Sequence, residues 1–469
     1  MIYNTEPYKH QREALETAFG KAVFGFFCEQ GTGKSKIVVD EIVNLIEVNE
    51  INCAIILAPN TVHANWREQF ELHGPKNYDD KWYIQVYKSG NKKQEEITRN
   101  AIASGRVLIF LMNIEALSHA SGCEYLHRIL LARKKTYMCI DESHKIKNNS
   151  AKRTQMAIRL GAFAKYRRIA TGTEAEEGAI NLFSQMKFLD WTIIGHKFVT
   201  SFKSMYCNMG GYENREIVSY RNLPLLTARI APHVYLKRKK ECLDLPDKVY
   251  VEHHVEMTIE QANVYRILEE ELILMLDDGK FIDATMVLTR MIKLQQVLCG
   301  HVSNEDGTRT FDNNRAKLTA ELVEGASGKS IVFCRFVEDV RLVVKALGDE
   351  KIVSMGITGE TDHRLENINV WRNDPNCRAL VITVQTGGTG LTLNEASNTV
   401  FYSNSWSATD RLQAEDRNHR IGTTEKVTYH DITVKDKIDD RILKALREKS
   451  DLASKVRQMI KDGNAKDIL

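Results

Sequence analysis

The sequence predicts an α/β protein of two lobes, each built on a parallel sheet with helices on its faces. Short apolar segments alternate with helical segments over residues 1–190, and the same alternation returns over residues 315–435. Such alternation is typical of mostly parallel sheets covered by helices. A chain of 469 residues is also long for one hydrophobic core.

The pattern divides the chain into four segments. The two lobes are expected at residues 1–190 and 315–435. Residues 191–314 carry glycine and asparagine clusters, a basic run and two long helical patterns, which predicts helical insertions and a linker. A charged amphipathic C-terminal helix is expected at residues 436–469.

Apolar periodicity places the elements in order. After an amphipathic helix that starts near Pro7, first-lobe strands are expected at residues 22–27, 53–57, 83–86, 106–111, 136–140 and 167–170, with helices at 36–48 and 62–70. The middle segment is expected to hold helices at 259–276 and 284–299 and no sheet. Second-lobe strands are expected at 330–334, 379–383, 399–402 and 426–431, with helices at 316–323, 337–347 and 364–371.

The composition, with 43% apolar and 27% charged residues, describes an ordinary soluble globular protein. A net charge of +3 gives no chain-wide footprint for nucleic acid, so any such site has to be local. No apolar run approaches a membrane span and the first residues lack an export signal, which predicts a cytosolic protein without a membrane partner. The nine cysteines are scattered, and buried reduced thiols are expected.

A glycine-rich stretch joins the first predicted strand to the helix after it. Gly31 and Gly33 allow the backbone to turn tightly and to aim N–H groups at phosphate oxygens. Lys34 brings a positive charge to the outer phosphates, and the Ser35 hydroxyl can ligate Mg²⁺. The strict phosphate-loop pattern has glycine where this chain has Cys28, so the match is to a looser version. The alternative is a tight turn with a surface lysine.

Two acids, Asp141 and Glu142, directly follow the strand expected at 136–140. They would lie at its C-terminal end, where open parallel sheets place their ligands. Asp141 would hold Mg²⁺, and Glu142 would orient and deprotonate an attacking water. Taken alone, the pair could equally be an acidic helix cap.

Two arginines in the second lobe, Arg417 and Arg420, are three residues apart, so a helix would put both guanidinium groups on one face. Such a pair suits the spread negative charge of a triphosphate and could act as arginine fingers. A solvated charged helix is the alternative. Weaker phosphate-binding signals are the glycine-rich turn at 387–390 and the basic run at 237–240.

In the order of these motifs, the chain resembles the Swi/Snf-type ATPases of helicase superfamily 2 from end to end. The first-lobe motifs are Gln11, Glu29-x-Gly31-x-Gly33-Lys34-Ser35, Leu57-Ala58-Pro59-Asn60-Thr61 with Trp66, Asp141-Glu142-Ser143-His144 and Ala170-Thr171-Gly172-Thr173. The second-lobe motifs are Ile331-Val332-Phe333-Cys334, Gly387-Gly388-Thr389-Gly390-Leu391, Trp406 and Gln413-Ala414-Glu415-Asp416-Arg417-x-His419-Arg420-Ile421-Gly422. The basic segment, linker and helical insertions separate this group from RNA helicases of the same superfamily.

The resemblance implies two RecA-like lobes and ATP-driven translocation along double-stranded or branched DNA, with remodelling of junctions or protein–DNA complexes. It implies ATP and Mg²⁺ as cofactors and a minimal motor of the bacteriophage or bacterial type, expected to act as a monomer in the bacterial cytoplasm. The catalytic residues it implies are Lys34, Asp141, Glu142, Arg417 and Arg420. ATP would be bound by Gln11, Gly31, Thr32, Gly33, Lys34, Ser35 and Gly388, and Mg²⁺ by Ser35 and Asp141. DNA phosphates would be contacted by Thr61, Asn113, Arg364 and Thr386.

The chain departs from the family pattern at three positions. Glu174 follows Thr173 in the coupling motif, where the family usually has proline. Thr423 stands where glutamine is common, and Cys28 where aspartate is common. The last two remove no group that the chemistry needs.

Three other functions are consistent with parts of the sequence. A kinase-like phosphate-loop transferase would leave the second lobe without a purpose. A non-catalytic DNA-binding scaffold would be expected to have lost Lys34, Glu142 or Arg420, and all three are present. A strand-separating or branch-migrating DNA helicase is the nearest alternative in mechanism.

Overall fold

The computed structural model describes most of the chain. The described residues are 1–59, 63–76, 82–90, 92–172, 178–211, 216–277, 283–305, 307–387, 391–448, 452 and 459. The chain divides into two compact units, Met1–Asp244 and Leu245–Leu469. The four-segment division at residues 190, 314 and 435 stays a prediction.

The first unit alternates strands and helices along the chain. Its strands are β1 Val23–Cys28, β2 Cys53–Ala58, β3 Trp82–Val86, β4 Val107–Asn113, β5 Thr136–Asp141, β6 Tyr166–Thr171, β7 Cys207–Gly210, β8 Glu216–Tyr220 and β9 Val234–Lys237. Its helices are α1 Lys9–Ala18, α2 Lys34–Glu47, α3 His63–His73, α4 Lys92–Ala103, α5 Ala120–Ala132, α6 Lys152–Gly161, α7 Ile180–Ile194, α8 Val199–Tyr206, α9 Leu223–Ile230 and α10 Lys239–Cys242. Short 3₁₀ turns at Ile114–Ser118 and Ser143–Ile146 follow β4 and β5.

Among the described residues of this unit, seven strands form one sheet in the order β3-β4-β2-β5-β6-β1-β9, with every pair parallel. Side chains alternate between two buried faces along the central strands. In β2, Ile55 and Leu57 join one hydrophobic cluster while Ala54 and Ile56 join the other. A strand covered on both faces has a nearly continuous apolar sequence, which is why the central strands were predictable.

The second unit follows the same plan. Its strands are β10 Lys248–His254, β11 His301–Asn304, β12 Gly307–Thr310, β13 Lys329–Cys334, β14 Val353–Ile357, β15 Cys377–Thr383, β16 Ala396–Phe401 and β17 Val427–Thr433. Its helices are α11 Ile259–Asp277, α12 Ala284–Leu298, α13 Asn314–Glu324, α14 Val337–Asp349, α15 Arg364–Asn373, α16 Val384–Gly387, α17 Ala408–Glu415 and α18 Ile438–Arg447. In the described part of the unit, six strands form a parallel sheet in the order β10-β17-β16-β13-β15-β14.

The predicted α/β fold class is confirmed, since the structure contains two parallel sheets flanked by helices. The expectation that residues 191–314 contain no sheet is wrong. Strand β9 extends the first sheet, β10 extends the second, and β7–β8 and β11–β12 are antiparallel hairpins. These strands escaped the apolar pattern because they lie at sheet edges or in hairpins and are partly exposed.

A buried ion pair fixes α18 to the second unit. Arg315, in α13, pairs with Asp439 in the first turn of α18. The same guanidinium donates hydrogen bonds to the carbonyl oxygens of Tyr402 and Ile432, at 2.6 Å and 2.8 Å. Burial raises the pKa of Asp439, and Arg315 opposes that shift.

Within the described residues, no helix combines the length and the apolar character needed to cross a membrane.

Candidate nucleotide-binding site

The phosphate loop lies between β1 and α2 in the first unit. Gly31 and Gly33 have φ angles of 78° and 83°, in the left-handed region that favours glycine. The Lys34 ammonium donates to the carbonyl oxygens of Cys28, at 2.8 Å, and Glu29, at 3.3 Å. The loop therefore holds the lysine over its own backbone, beside the N-terminus of α2, a place that favours phosphate.

Helix α1 holds the middle of the loop. The carbonyl oxygen of Thr32 accepts a hydrogen bond from Gln11 Nε2, at 3.2 Å, and lies 2.8 Å from His10 Nε2. The Thr32 hydroxyl donates to the Glu29 carbonyl at 2.7 Å. Burial lowers the pKa of His10. His10 had not been singled out from the sequence, where its position beside Gln11 was the one available signal.

The carboxylate of Asp141 lies at the C-terminal end of β5 and is only 8% exposed. It accepts hydrogen bonds from the indole Nε1 of Trp66 and from the backbone N–H of Glu142, both at 3.0 Å. Burial, and then the nearby charge of Glu142, raise the pKa of Asp141 to about 6, while Lys34 and Trp66 oppose the shift.

The neighbouring Glu142 has a strained backbone, with φ 51° and ψ 55°. Its Oε1 accepts a hydrogen bond from Gln30 Nε2 at 3.4 Å, and its Oε2 lies 3.3 Å from His144 Nδ1. Gln30 belongs to the phosphate loop, so it links the loop to the acid pair. Sequence reasoning missed Gln30, because only the folded chain brings it to Glu142.

Gly172, directly after β6, lies beside the phosphate loop. A Cβ at Gly172 would lie 2.4 Å from Gln30 Cγ and 3.2 Å from Lys34 Nζ, so only glycine fits there.

The side chains of the phosphate loop and the acid pair fit a magnesium nucleotide. The half-buried hydroxyl of Ser35 and the carboxylate of Asp141 are the oxygen ligands that Mg²⁺ prefers, and Lys34 suits phosphate.

The phosphate loop is also bonded to the last strand of the first sheet. Residues Cys28 and Lys237 are partners in the β1–β9 register. The Glu29 N–H donates to the Lys237 carbonyl at 3.0 Å, and the Glu29 carboxylate accepts from the backbone N–H of Lys239 at 2.8 Å. Lys239 is only 6% exposed. This part of the basic run predicted at 237–240 therefore supports the phosphate loop.

The two candidate arginine fingers lie in the second unit, and the prediction that they share a helix face is wrong. Helix α17 ends at Glu415, so Arg417 and Arg420 lie in the turn that follows. Within that turn, the side chain of Asn418 is buried and donates to the Ala396 carbonyl and the Thr399 hydroxyl.

Each arginine is held by the loop around it. Arg417 Nη1 donates to the Leu391 carbonyl at 3.3 Å. The Arg420 N–H donates to the hydroxyl of Thr423 at 3.1 Å, and that hydroxyl donates to the Asn418 carbonyl at 2.8 Å. Burial lowers the pKa of Arg420. The family departure at Thr423 therefore supplies the hydroxyl that shapes the Arg420 loop.

The predicted DNA-contacting residues have local partners. Asn113 caps the 3₁₀ turn after β4 by accepting from the Glu115 N–H at 2.8 Å. Arg364 Nε donates to the Thr361 carbonyl at 3.1 Å, and Nη2 to the Gly359 carbonyl. Thr386 is 7% exposed and accepts from the Thr383 hydroxyl at 2.8 Å. The remaining DNA-contact candidate, Thr61, lies outside the described residues, as do the ATP-binding candidate Gly388 and the coupling-motif residues Thr173 and Glu174.

A model of the SNF2-related domain matches residues 16–303, more than half of the chain. The chain belongs to the SNF2-related family. A model of the helicase conserved C-terminal domain matches residues 314–422 of this SNF2-related chain. Together they confirm the resemblance to the Swi/Snf-type proteins of helicase superfamily 2.

Curated relatives are distant and longer. An uncharacterized ATP-dependent helicase of Mycoplasma pneumoniae is 25% identical over 98% of this chain and 42% of its own length. Chromatin structure-remodeling complex subunit snf21 of Schizosaccharomyces pombe is 24% identical over 93% of this chain and 38% of its own. The chain thus spans about two fifths of the length of these relatives. A solved structure of the Sulfolobus solfataricus SWI2/SNF2 ATPase core in complex with dsDNA aligns over 99% of this chain and 94% of that one, with 22% identity and a TM-score of 0.45.

Proposed function

We propose that this SNF2-related chain is a DNA-dependent ATPase that translocates on double-stranded or branched DNA and remodels junctions or protein–DNA complexes. The observation that carries the proposal is the joining of phosphate loop and acid pair in the first unit. Strand β6 lies between β5 and β1, and all three strands are parallel. The phosphate loop after β1 and the acids at the end of β5 therefore lie at the same, C-terminal, end of the strands. Gln30 links them directly by its bond to Glu142.

Each side chain of the phosphate loop and acid pair has a chemical task in this proposal. Lys34 exchanges its bonds to the loop carbonyls for bonds to the outer phosphates, gaining charge-assisted contacts. Ser35 and Asp141 would hold Mg²⁺, which would neutralise part of the phosphate charge. Glu142, oriented by Gln30, positions the attacking water and accepts its proton.

The proposal assigns the remaining positive charge to the second unit. Arg417 and Arg420 would stabilise the negative charge that develops on the transferred phosphoryl group. The bonds of Asn418 and Thr423 shape the loop that carries both arginines. Guanidinium groups keep their positive charge at physiological pH. Hydrolysis would then depend on residues from both units, and DNA binding would promote it.

DNA is the proposed partner, and the chain is proposed to act on it as a monomer. Thr61, Asn113, Arg364 and Thr386 are the proposed phosphate contacts. Arg364→Ala tests a DNA contact, with its melting temperature measured alongside because Arg364 also donates to the carbonyls of Thr361 and Gly359. Unchanged DNA affinity and unchanged ATPase stimulation in that variant would count against this contact.

The deciding experiment measures phosphate release by the full chain with single-stranded, double-stranded, forked and four-way DNA and with RNA. We expect the strongest stimulation from double-stranded or branched DNA. Stimulation by RNA alone would overturn the proposal. The alternative, a strand-separating or branch-migrating helicase, predicts release of a labelled strand from forked or four-way DNA at a rate that follows ATP hydrolysis. A translocase without that activity releases none.

A further inference from the structure

The indole ring of Trp66 reaches from α3 to the acid pair. Its Nε1 donates to Asp141 Oδ2 at 3.0 Å, although 75 residues separate the two in sequence. Trp66 is 1% exposed, so water has almost no access to this N–H. A buried indole N–H without an acceptor costs free energy, and here the acceptor is a carboxylate, which makes the bond charge-assisted.

This bond fixes one of the two oxygens of Asp141. The other, Oδ1, accepts from the Glu142 N–H at 3.0 Å. Two donors on different oxygens set the rotation of the carboxylate about its Cβ–Cγ bond. An ionised carboxylate has about four acceptor sites, so about two remain for a cation or its water ligands.

We infer that Trp66 positions the Asp141 carboxylate for the magnesium ion of a bound nucleotide. The inference rests on the proposed nucleotide site and adds a residue that contacts neither nucleotide nor metal. Partners that orient a metal ligand commonly change metal affinity by about 10–100-fold when they are removed. Trp66 is thus a positioning residue for this site.

The competing explanation is packing alone. The Trp66 ring lies 6.3 Å from that of Phe70, and Phe70 meets Trp82 edge to face at 5.7 Å. All three belong to one hydrophobic cluster of the first unit. A Trp66→Phe variant keeps an aromatic ring in this cluster but loses the N–H donor. Phe70→Leu is the matched control, because it disturbs the cluster and leaves the Trp66–Asp141 bond in place.

The test is calorimetric titration of the full chain with ADP, at a series of Mg²⁺ concentrations and in EDTA. For Trp66→Phe we expect the Mg²⁺ concentration that gives half of the magnesium-dependent gain in ADP affinity to rise about tenfold. ADP affinity in EDTA should stay within about twofold of the wild type. Phe70→Leu should change neither quantity, whatever it does to the melting temperature.

An unchanged Mg²⁺ midpoint in Trp66→Phe would overturn the inference, as would an equal shift in Phe70→Leu. Failure of the proposed function has a different signature, since the wild type would then not bind ADP at all. Wild-type binding of ADP with no gain from Mg²⁺ would reject the magnesium role of Asp141 and the inference with it.

Discussion

The ammonium nitrogen of Lys34 lies 2.8 Å from the carbonyl oxygen of Cys28, the last residue of β1. The loop therefore uses the backbone of residue 28 to hold the lysine, and any residue type supplies that carbonyl. The Cys28 side chain is fully buried in the core on one face of the sheet. This explains how a phosphate loop can tolerate cysteine at a position where the family commonly has aspartate.

Lys34→Ala should abolish DNA-stimulated ATP hydrolysis. The substitution removes the positive charge meant for the outer phosphates, and losing one such electrostatic group costs about 10²–10³-fold in turnover. The fold should persist, because Lys34 is bonded to carbonyl groups of a loop that Gln11 and Thr32 also hold. Circular dichroism and phosphate release measure the two effects. Turnover within about tenfold of the wild type would contradict the assigned role.

Arg420→Ala should lower DNA-stimulated turnover by about 10³-fold, the scale found for arginine fingers. The affinity for ADP should change much less, because the phosphate loop and the acid pair lie in the first unit. Arg341→Ala is the control in the same unit, since that side chain is 63% exposed and pairs with Glu338 on its own helix. Near-normal turnover by the Arg420 variant would contradict the proposed role of Arg420 in hydrolysis.

Thr423→Ala should slow hydrolysis by about tenfold or more without large loss of stability. The variant loses the hydroxyl that accepts the Arg420 N–H and donates to the Asn418 carbonyl, so the arginine loses its fixed position. Small displacements of catalytic groups carry costs of this size. Thr423→Ser keeps the hydroxyl and should retain most of the turnover. Equal loss in both variants would point to the methyl group instead.

Asp40 should make the stability of the first unit depend on pH. Burial raises its pKa to about 6 in the folded protein, against the influence of Lys36. The unfolded value is about 4, so folding takes up a proton between about pH 4 and 6. The stabilisation that follows from the raised pKa of Asp40 is fully present below about pH 4. It is lost as the pH rises through about 6.

Melting temperatures of the wild type and Asp40→Asn between pH 4 and 7 test this prediction. The asparagine variant cannot titrate at this position, so the wild type should lose stability relative to it as the pH rises. A constant difference between the two proteins across the range would show that Asp40 has an ordinary pKa.

Asp439→Ala should destabilise the second unit by about 3–5 kcal/mol, because it leaves the charge of Arg315 buried without its carboxylate. Lys437→Ala is the control beside the same helix. Its partner is Glu269, both side chains are about a quarter exposed, and such a pair contributes about 0–1 kcal/mol. Urea unfolding of both variants compares them, and similar midpoints would contradict the importance of the buried pair.

Central strands were predictable to within a residue or two. The segments expected at 53–57 and 136–140 are Cys53–Ala58 and Thr136–Asp141 in the structure. Burial on both faces forces their apolar runs. Three strands that were missed in the two main sheets, at Val234–Lys237, Lys248–His254 and Val353–Ile357, are all edge strands. The four hairpin strands β7, β8, β11 and β12 were missed as well. An edge strand can keep polar residues, so its sequence carries a weak signal.

The site was predictable where chemistry requires a residue type in a fixed local order. That holds for Gly31 to Ser35 and for Asp141 with Glu142, which lie together as expected from the motif order. Contacts made by tertiary folding were not predictable, as with Gln30 at Glu142 or Trp66 at Asp141. The helix expected through Arg417 and Arg420 ends at Glu415 in the structure. The bonds of Asn418 to Ala396 and Thr399 are likewise contacts that the local sequence does not reveal.

The bonds from Glu29 to Lys237 and Lys239 have a mechanical consequence. They connect the nucleotide loop to the segment by which the chain leaves the first unit, whose last residue is Asp244. The backbone N–H and the carboxylate of Glu29 therefore tie the phosphate loop to the exit segment, so a displacement of one of them would have to move the other or break a hydrogen bond.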